Sequence, residues 1–436
     1  MPCRYGAKCY QKNALHHEKF KHPPTKDAKK QKATKQTTAG KKRKKKDTGQ
    51  KANDSPKRKV QKTDEDEPEE TSAIPSAIDT ETSEIAEDTS NSENTEDAKE
   101  SADQVTLASL LDDCGVDADS EKLLPSEAQA VISHFFLTDM PRDFFEFYEF
   151  CKSVSEEEPL DALKSLQLHL VGPYDAFRDK FLSSKVDDKK ALLRHWRYYY
   201  DPPEFQTVIR VDGKEGSHFG YWRDDSSEKP VFVAINKANE NCIIERAAEN
   251  IFGAIDAYIG GKVKLANPFE KTRIAKLQQK LKSYAKEKRI TLDKKTSDME
   301  AREKKVVART FHGAGVVAPY NKTTQLGYRE LIVTDGELQK LLKQIEKAPT
   351  SEERKAPMSK LEEVIRLATI AADECDFGTC LELGHDLFAS GVPLVQNKAL
   401  NMLSLAYNLL QRPQFLQIIQ THLQGRKNGS SLSVLR

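Results

Sequence analysis

The 436-residue chain contains no apolar run approaching the roughly 18 residues that a helix needs to cross a bilayer, which predicts a soluble protein with no membrane partner. Cysteine is sparse and odd in number: Cys3, Cys9, Cys114, Cys151, Cys242, Cys375 and Cys380. Their wide scatter, with no secretory signal ahead of them, excludes a disulfide framework and points to a reducing, intracellular compartment. There is no Walker loop, no complete G-x-G-x-x-G fingerprint and no G-x-S-x-G elbow. Nucleotide hydrolysis, dinucleotide binding and serine esterase chemistry therefore have no carrier here. Asp376-Phe377-Gly378 spells the kinase magnesium motif without a catalytic loop before it, and His312-Gly313-Ala314-Gly315 has the look of an oxyanion loop without a nucleophile. No stand-alone enzyme is expected.

What is present is unevenly distributed. The formal net charge is only +1, yet residues 24–62 hold 16 Lys+Arg against 3 Asp+Glu, and residues 63–104 hold 16 Asp+Glu against one Lys. Neither segment has enough apolar surface to offset its ordering entropy, so 24–105 is expected to be a disordered linker, basic then acidic. Lys41-Lys42-Arg43-Lys44-Lys45-Lys46 and Pro56-Lys57-Arg58-Lys59-Val60 read as nuclear import signals or as patches for non-specific nucleic-acid contact, against the alternative of a solvated charged linker. Two such clusters favour nuclear import.

From about residue 106 apolar periodicity returns. Residues 127–152 read as Phe-rich helical turns broken at Pro141, followed by a short apolar segment from Leu166 to Val171. Residues 205–211, HFGYWRD and PVFVAIN are aromatic and β-branched, as strands require. Residues 247–262 and 269–305 read as helices, FHGAGVVAPY and LGYRELIV as a hairpin, and 336–424 as mainly helical. The fold expected is α+β: a compact body with a central antiparallel or mixed sheet and a mainly helical C-terminal part. Its expected divisions are 106–265, α/β; 266–425, mainly helical; and 426–436, a flexible tail.

The first 23 residues carry Cys3-x5-Cys9-x6-His16-x5-His22. Two thiolates and two imidazoles suit tetrahedral zinc, and so short a segment has no core to fold without metal. A DNA-reading finger is excluded, because it wants ~2–4 residues between its cysteines and ~12 before its first histidine. The competing possibility is an unstructured end with incidental ligands. The text CRYGAKCYQKNALHHEKFKHP resembles the poly(ADP-ribose)-binding zinc finger, through Cys3, Tyr5, Gly6, Cys9, Tyr10, Lys12, Asn13, His16, His22 and Pro23. The resemblance implies zinc on Cys3, Cys9, His16 and His22, and polymer contact through Tyr5, Tyr10 and position 11. There Gln11 replaces the usual Arg, which removes a cation able to stack on a base.

A second stretch breaks a local rule. AADECDFG (371–378) places Asp373, Glu374 and Asp376 where the helix MSKLEEVIRLATIAA ends, next to the negative pole of its dipole. Leu361, Val364, Ile365, Ala368, Ala372 and Cys375 define the buried stripe, so Asp373 and Glu374 are expected off it and exposed, with Gly378 stopping the helix. Repulsion and the dipole should make one carboxylate a better base than usual. By spacing alone a solvated acidic corner is the simpler reading.

The body as a whole resembles the histone PARylation factor family. LVGPYD (170–175), HWRYYYDPPEFQT (195–207), NCII (241–244), KKVVARTFHGAG (304–315), GYREL (327–331), DECDFG, LELG (381–384) and AYNLL (406–410) carry the match. That resemblance implies an accessory factor that inserts Glu374 as general base into the site of a DNA-damage-activated poly(ADP-ribose) polymerase, so that ADP-ribose goes to serine on histones. NAD would be bound by the polymerase, not by this chain. Asp373, Tyr328 and Arg329 would dock on the polymerase catalytic domain, and Arg329 could pair with Asp373. Localisation would be nuclear, at damaged chromatin. The competing readings are a non-catalytic poly(ADP-ribose) reader and a DNA-binding protein using the basic tail.

Overall fold

The computed structural model describes residues 104–111, 122–429 and 431–436. The zinc-finger positions, the charged linker and the import clusters lie outside the described residues. The strand-forming segments of the middle region build one antiparallel sheet, in spatial order β2 (Leu168–Leu170), β4 (Phe205–Val211), β5 (Ser217–Trp222), β6 (Phe232–Lys237), β7 (Ile244–Ala248). Each join is antiparallel, and the register sets Phe205 opposite Trp222 and Trp222 opposite Phe232. A shorter pair, β1 (Val105–Thr106) with β3 (Lys185–Val186), opens the body. The fold is α+β, as expected.

One core lies between this sheet and four helices: α1 (Pro125–Phe136), α2 (Arg142–Val154), α3 (Ile251–Leu265) and α4 (Pro268–Glu287). The Phe run of 135–150 supplies its bulk, with Phe144 stacked on Tyr174 at 3.9 Å. Asn250 and Asn267 cap α3 and α4 by accepting backbone N–H bonds from Gly253 and Glu270, which is how the sequence starts these helices. Leu281 and Ala285 of α4 belong to this core, so the division drawn at 265–266 coincides with no change of core.

A second core is wholly helical: α6 (Asp335–Lys347), α7 (Ser351–Asp373), α8 (Phe377–Ala389), α9 (Gln396–Leu409) and α10 (Pro413–Gln424). Buried polar groups tie it to the sheet region. Glu204, just before β4, accepts hydrogen bonds from Tyr407 at 2.9 Å and pairs with His385 at 3.2 Å. On the sheet side Arg302 of α5 (Ser297–Glu303) pairs with Asp224 and donates to the carbonyls of Ala314 and Gly315, so the buried cation has both a counter-charge and hydrogen-bond acceptors.

Three expectations are corrected. Residues 269–305 are not one helix: α4 ends at Glu287, Arg289 turns left-handed with φ 56°, and Thr296 caps a separate α5. LGYRELIV forms no strand; β9 (Val316–Val317) pairs with β8 (Val306–Ala308) instead. The tail is anchored rather than flexible, because Lys185 and Arg436 exchange backbone hydrogen bonds of 3.0 and 3.1 Å and Trp196 donates to the Leu432 carbonyl.

Candidate functional site

The acidic corner joins α7 to α8. Asp373 is the last residue of α7 and Glu374 its C-cap. The stop is made at Cys375, not Gly378: Cys375 adopts φ 73°, its N–H bonds to the Ala372 carbonyl at 2.9 Å, and the Asp376 N–H returns to the Ala371 carbonyl at 2.8 Å. These two bonds form a Schellman turn with cysteine in the left-handed position, a conformation costing an ordinary residue about 1–2 kcal/mol. Gly378 has another task. Its N–H donates to the Gly327 carbonyl at 2.9 Å, and a Cβ there would lie 3.0 Å from that carbonyl and 3.2 Å from the Tyr328 Cβ. Glycine lets the GYREL segment lie directly on the first turn of α8.

That segment is fastened at several points. Gly327, at φ 108°, donates its N–H to Asp376 Oδ1 at 2.9 Å. Arg329 exchanges bonds with the Thr379 hydroxyl through its backbone N–H and C=O. The Arg329 guanidinium then bridges Glu374 Oε2 at 2.6 Å and Asp376 Oδ2 at 2.9 Å. Its own affinity for the proton is raised: partial burial opposes the charge, and the bonds to Glu374 and the charge of Asp376 outweigh it.

This arrangement corrects the sequence reading in two respects. Glu374 is only 6 % exposed, and Arg329 pairs with Glu374 and Asp376 rather than Asp373. The physical reason is the Schellman turn, which folds the chain after Asp373 back over the helix end and turns Glu374 under the guanidinium. Asp373 itself is exposed. Asp376 and Thr379 are site-building residues that spacing did not single out, although Asp376 was one of the three crowded carboxylates. Tyr5, Tyr10, Gln11, Cys3, Cys9, His16 and His22 lie outside the described residues.

Around the corner the surface is mixed. Tyr328 is half-buried and its hydroxyl bonds to Glu382 of α8. Burial pushes the Glu382 carboxyl up to about 7 and that of Asp386, one turn further, well above the usual carboxylate range. Ile332, three residues after Arg329 in the chain, is an apolar side chain 67 % exposed. A groove of about 950 Å³ reaches Tyr328 from the sheet side, with Tyr320, Lys304 and Lys322 on its wall.

The Histone PARylation factor 1 family model matches residues 127–426, and the PBZ domain model matches residues 1–25. Histone PARylation factor 1 of Bos taurus is 41% identical over 308 residues, covering 70% of this chain and 88% of the relative. The Mus musculus protein is 41% identical over 309 residues, covering 70% and 89%. That of Danio rerio is 38% identical over 314 residues, covering 72% and 89%. The corner described above falls inside the matched region, and the chain belongs to the histone PARylation factor family.

Proposed function

We propose that this chain completes the active site of a DNA-damage-activated poly(ADP-ribose) polymerase, with Glu374 as general base. The polymerase holds NAD. A serine Oγ forms the new bond to the ribose carbon, the bond to nicotinamide breaks with its electron pair, and the hydroxyl proton passes to the Glu374 carboxylate. Serine needs this help because its hydroxyl is a poor nucleophile until deprotonated. Such a base typically supplies ~10²–10⁴-fold in rate.

The observation that carries the reading is the Arg329 bridge, which holds Glu374 at a helix end, next in sequence to the exposed Asp373. Arg329 is half exposed, so a docking polymerase can draw the guanidinium away and uncover the carboxylate. Asp373, Tyr328 and Arg329 form the docking surface, and the exposed acid favours histone segments in which lysine flanks the serine.

The amino-terminal segment binds zinc through Cys3, Cys9, His16 and His22, a donor set that fits tetrahedral coordination. Tyr5, Tyr10 and Gln11 contact poly(ADP-ribose), and the basic clusters direct the protein to the nucleus with some non-specific nucleic-acid contact. The finger and linker tether the protein to modified chromatin; a long linker raises local concentration without positioning a reacting group.

The burial of Glu374 favours one competing reading, in which the corner only docks and the chain is a non-catalytic reader. A reconstituted polymerase assay that maps modified residues separates the two. Glu374→Gln keeps the shape and cannot take the proton; it should lose serine modification while still binding the polymerase. Near-normal serine modification by this variant would remove the general-base role.

A further inference from the structure

Asp175, Asp201, Glu204, Asp224, Glu374 and Asp376 are buried carboxylates, and each has a basic side chain in contact. Among the described residues the two buried carboxylates without one are Glu382 and Asp386, 7 % and 0 % exposed. They sit four apart on α8, so both project from the same face of the helix, where like charges repel. Each has one oxygen already used: Glu382 meets the Tyr328 hydroxyl, and Asp386 Oδ1 accepts the Phe311 N–H at 2.8 Å. The other oxygens, Glu382 Oε2 and Asp386 Oδ2, are fully buried with no hydrogen-bond partner. Buried, unpaired polar atoms of this kind are rare and costly. The exposed Asp335, first residue of α6, completes the group, with ligand oxygens of the three residues within 4.8 Å of one another.

We propose that Asp335, Glu382 and Asp386 bind a hard divalent cation, of the calcium or manganese class. Oxygen-only ligands select hard ions over zinc or copper. Bonds of ~2.0–2.6 Å place the ligand oxygens of one ion no more than ~5 Å apart, as found here. Asp335 at the surface gives the ion its entry, and Thr379, Tyr328 and Phe311 already hold the surrounding backbone. The ion would clamp the 328–335 segment onto α8 from the end opposite Arg329. This assignment does not depend on the role given to Glu374.

The test is titration of the full, zinc-loaded chain with Mn²⁺, followed by the electron spin resonance of the free ion, and with Ca²⁺, followed by thermal unfolding. One saturable manganese site and a calcium-dependent rise in Tm are expected. Asp386→Asn, Glu382→Gln and the surface change Asp335→Asn should each weaken manganese by at least the ~10–100-fold that even outer-shell partners command. The two buried changes should also raise Tm in chelator, because each replaces a buried acid whose charged form burial disfavours by a neutral side chain of the same shape. Absence of saturable binding up to ~1 mM, the weak end of protein calcium sites, would overturn the proposal. So would a manganese site that all three variants retain, or a chelator-insensitive wild type in which protons alone neutralise the pair.

Discussion

Two carboxylate groups lie along α8 and its approach, and they are handled in opposite ways. At the corner, Glu374 and Asp376 share one guanidinium, and the Gly327 backbone N–H donates to Asp376 Oδ1. Further along, Glu382 and Asp386 are equally buried and, among the described residues, have only a tyrosine hydroxyl and one backbone N–H between them. The first group has a counter-charge in direct contact, half in solvent. The second can stay charged only if something from solution joins it. The contrast fits the proposal that the corner, rather than this pair, takes the serine proton.

The sharpest way to break this contrast is at Glu374. Glu374→Gln should reduce serine modification by ~10²–10⁴-fold with little change in polymerase affinity. A matched loss of affinity would make the corner a docking surface only.

The next effect belongs to the second group and is a pH dependence. In chelator, the folded chain keeps the Glu382 proton up to about 7, whereas an unfolded chain releases it near 4.5. The folded state therefore gains from this group below about 4.5 and loses that gain as pH rises through about 7. Urea unfolding should show wild type losing about 1–3 kcal/mol relative to Glu382→Gln across that window. Parallel profiles would mean that Glu382 titrates alike in both states.

Arg329→Ala comes third. It removes the guanidinium that bridges Glu374 and Asp376, but Arg329 is half exposed and water replaces part of what is lost. About 1–2 kcal/mol is expected in urea unfolding, less than the full cost of breaking a buried pair. Serine modification should fall through weaker association and recover partly with excess protein. Failure at saturation would show instead that Arg329 positions Glu374 for the chemistry.

The smallest effect should come from removing residues 1–103. Val105 pairs with Val186, so a chain beginning at Gln104 retains the first ladder of the body. Its unfolding midpoint and its serine modification with purified components should match those of the full chain. A loss of activity with binding intact would give the finger or linker a part in the reaction.

Local signals in the sequence determined a good deal. Alternating β-branched and aromatic residues located β4, β5 and β6; Pro141 separated α1 from α2; and the crowding of Asp373, Glu374 and Asp376 marked the corner. Such patterns are legible because strand alternation, proline geometry and charge repulsion act between near neighbours in the chain. What the tertiary structure decided concerns distant ones. Arg329 lies 45 residues from Glu374, and only the packing of the GYREL segment on Gly378 brings its guanidinium over Glu374 and Asp376 rather than Asp373. The left-handed Cys375 stops α7 three residues before Gly378, and that glycine serves the close approach instead. Likewise, Glu382 and Asp386 are ordinary helix residues in the sequence. The proposed cation site arises only where α6 delivers Asp335 and, among the described residues, no basic side chain arrives with it.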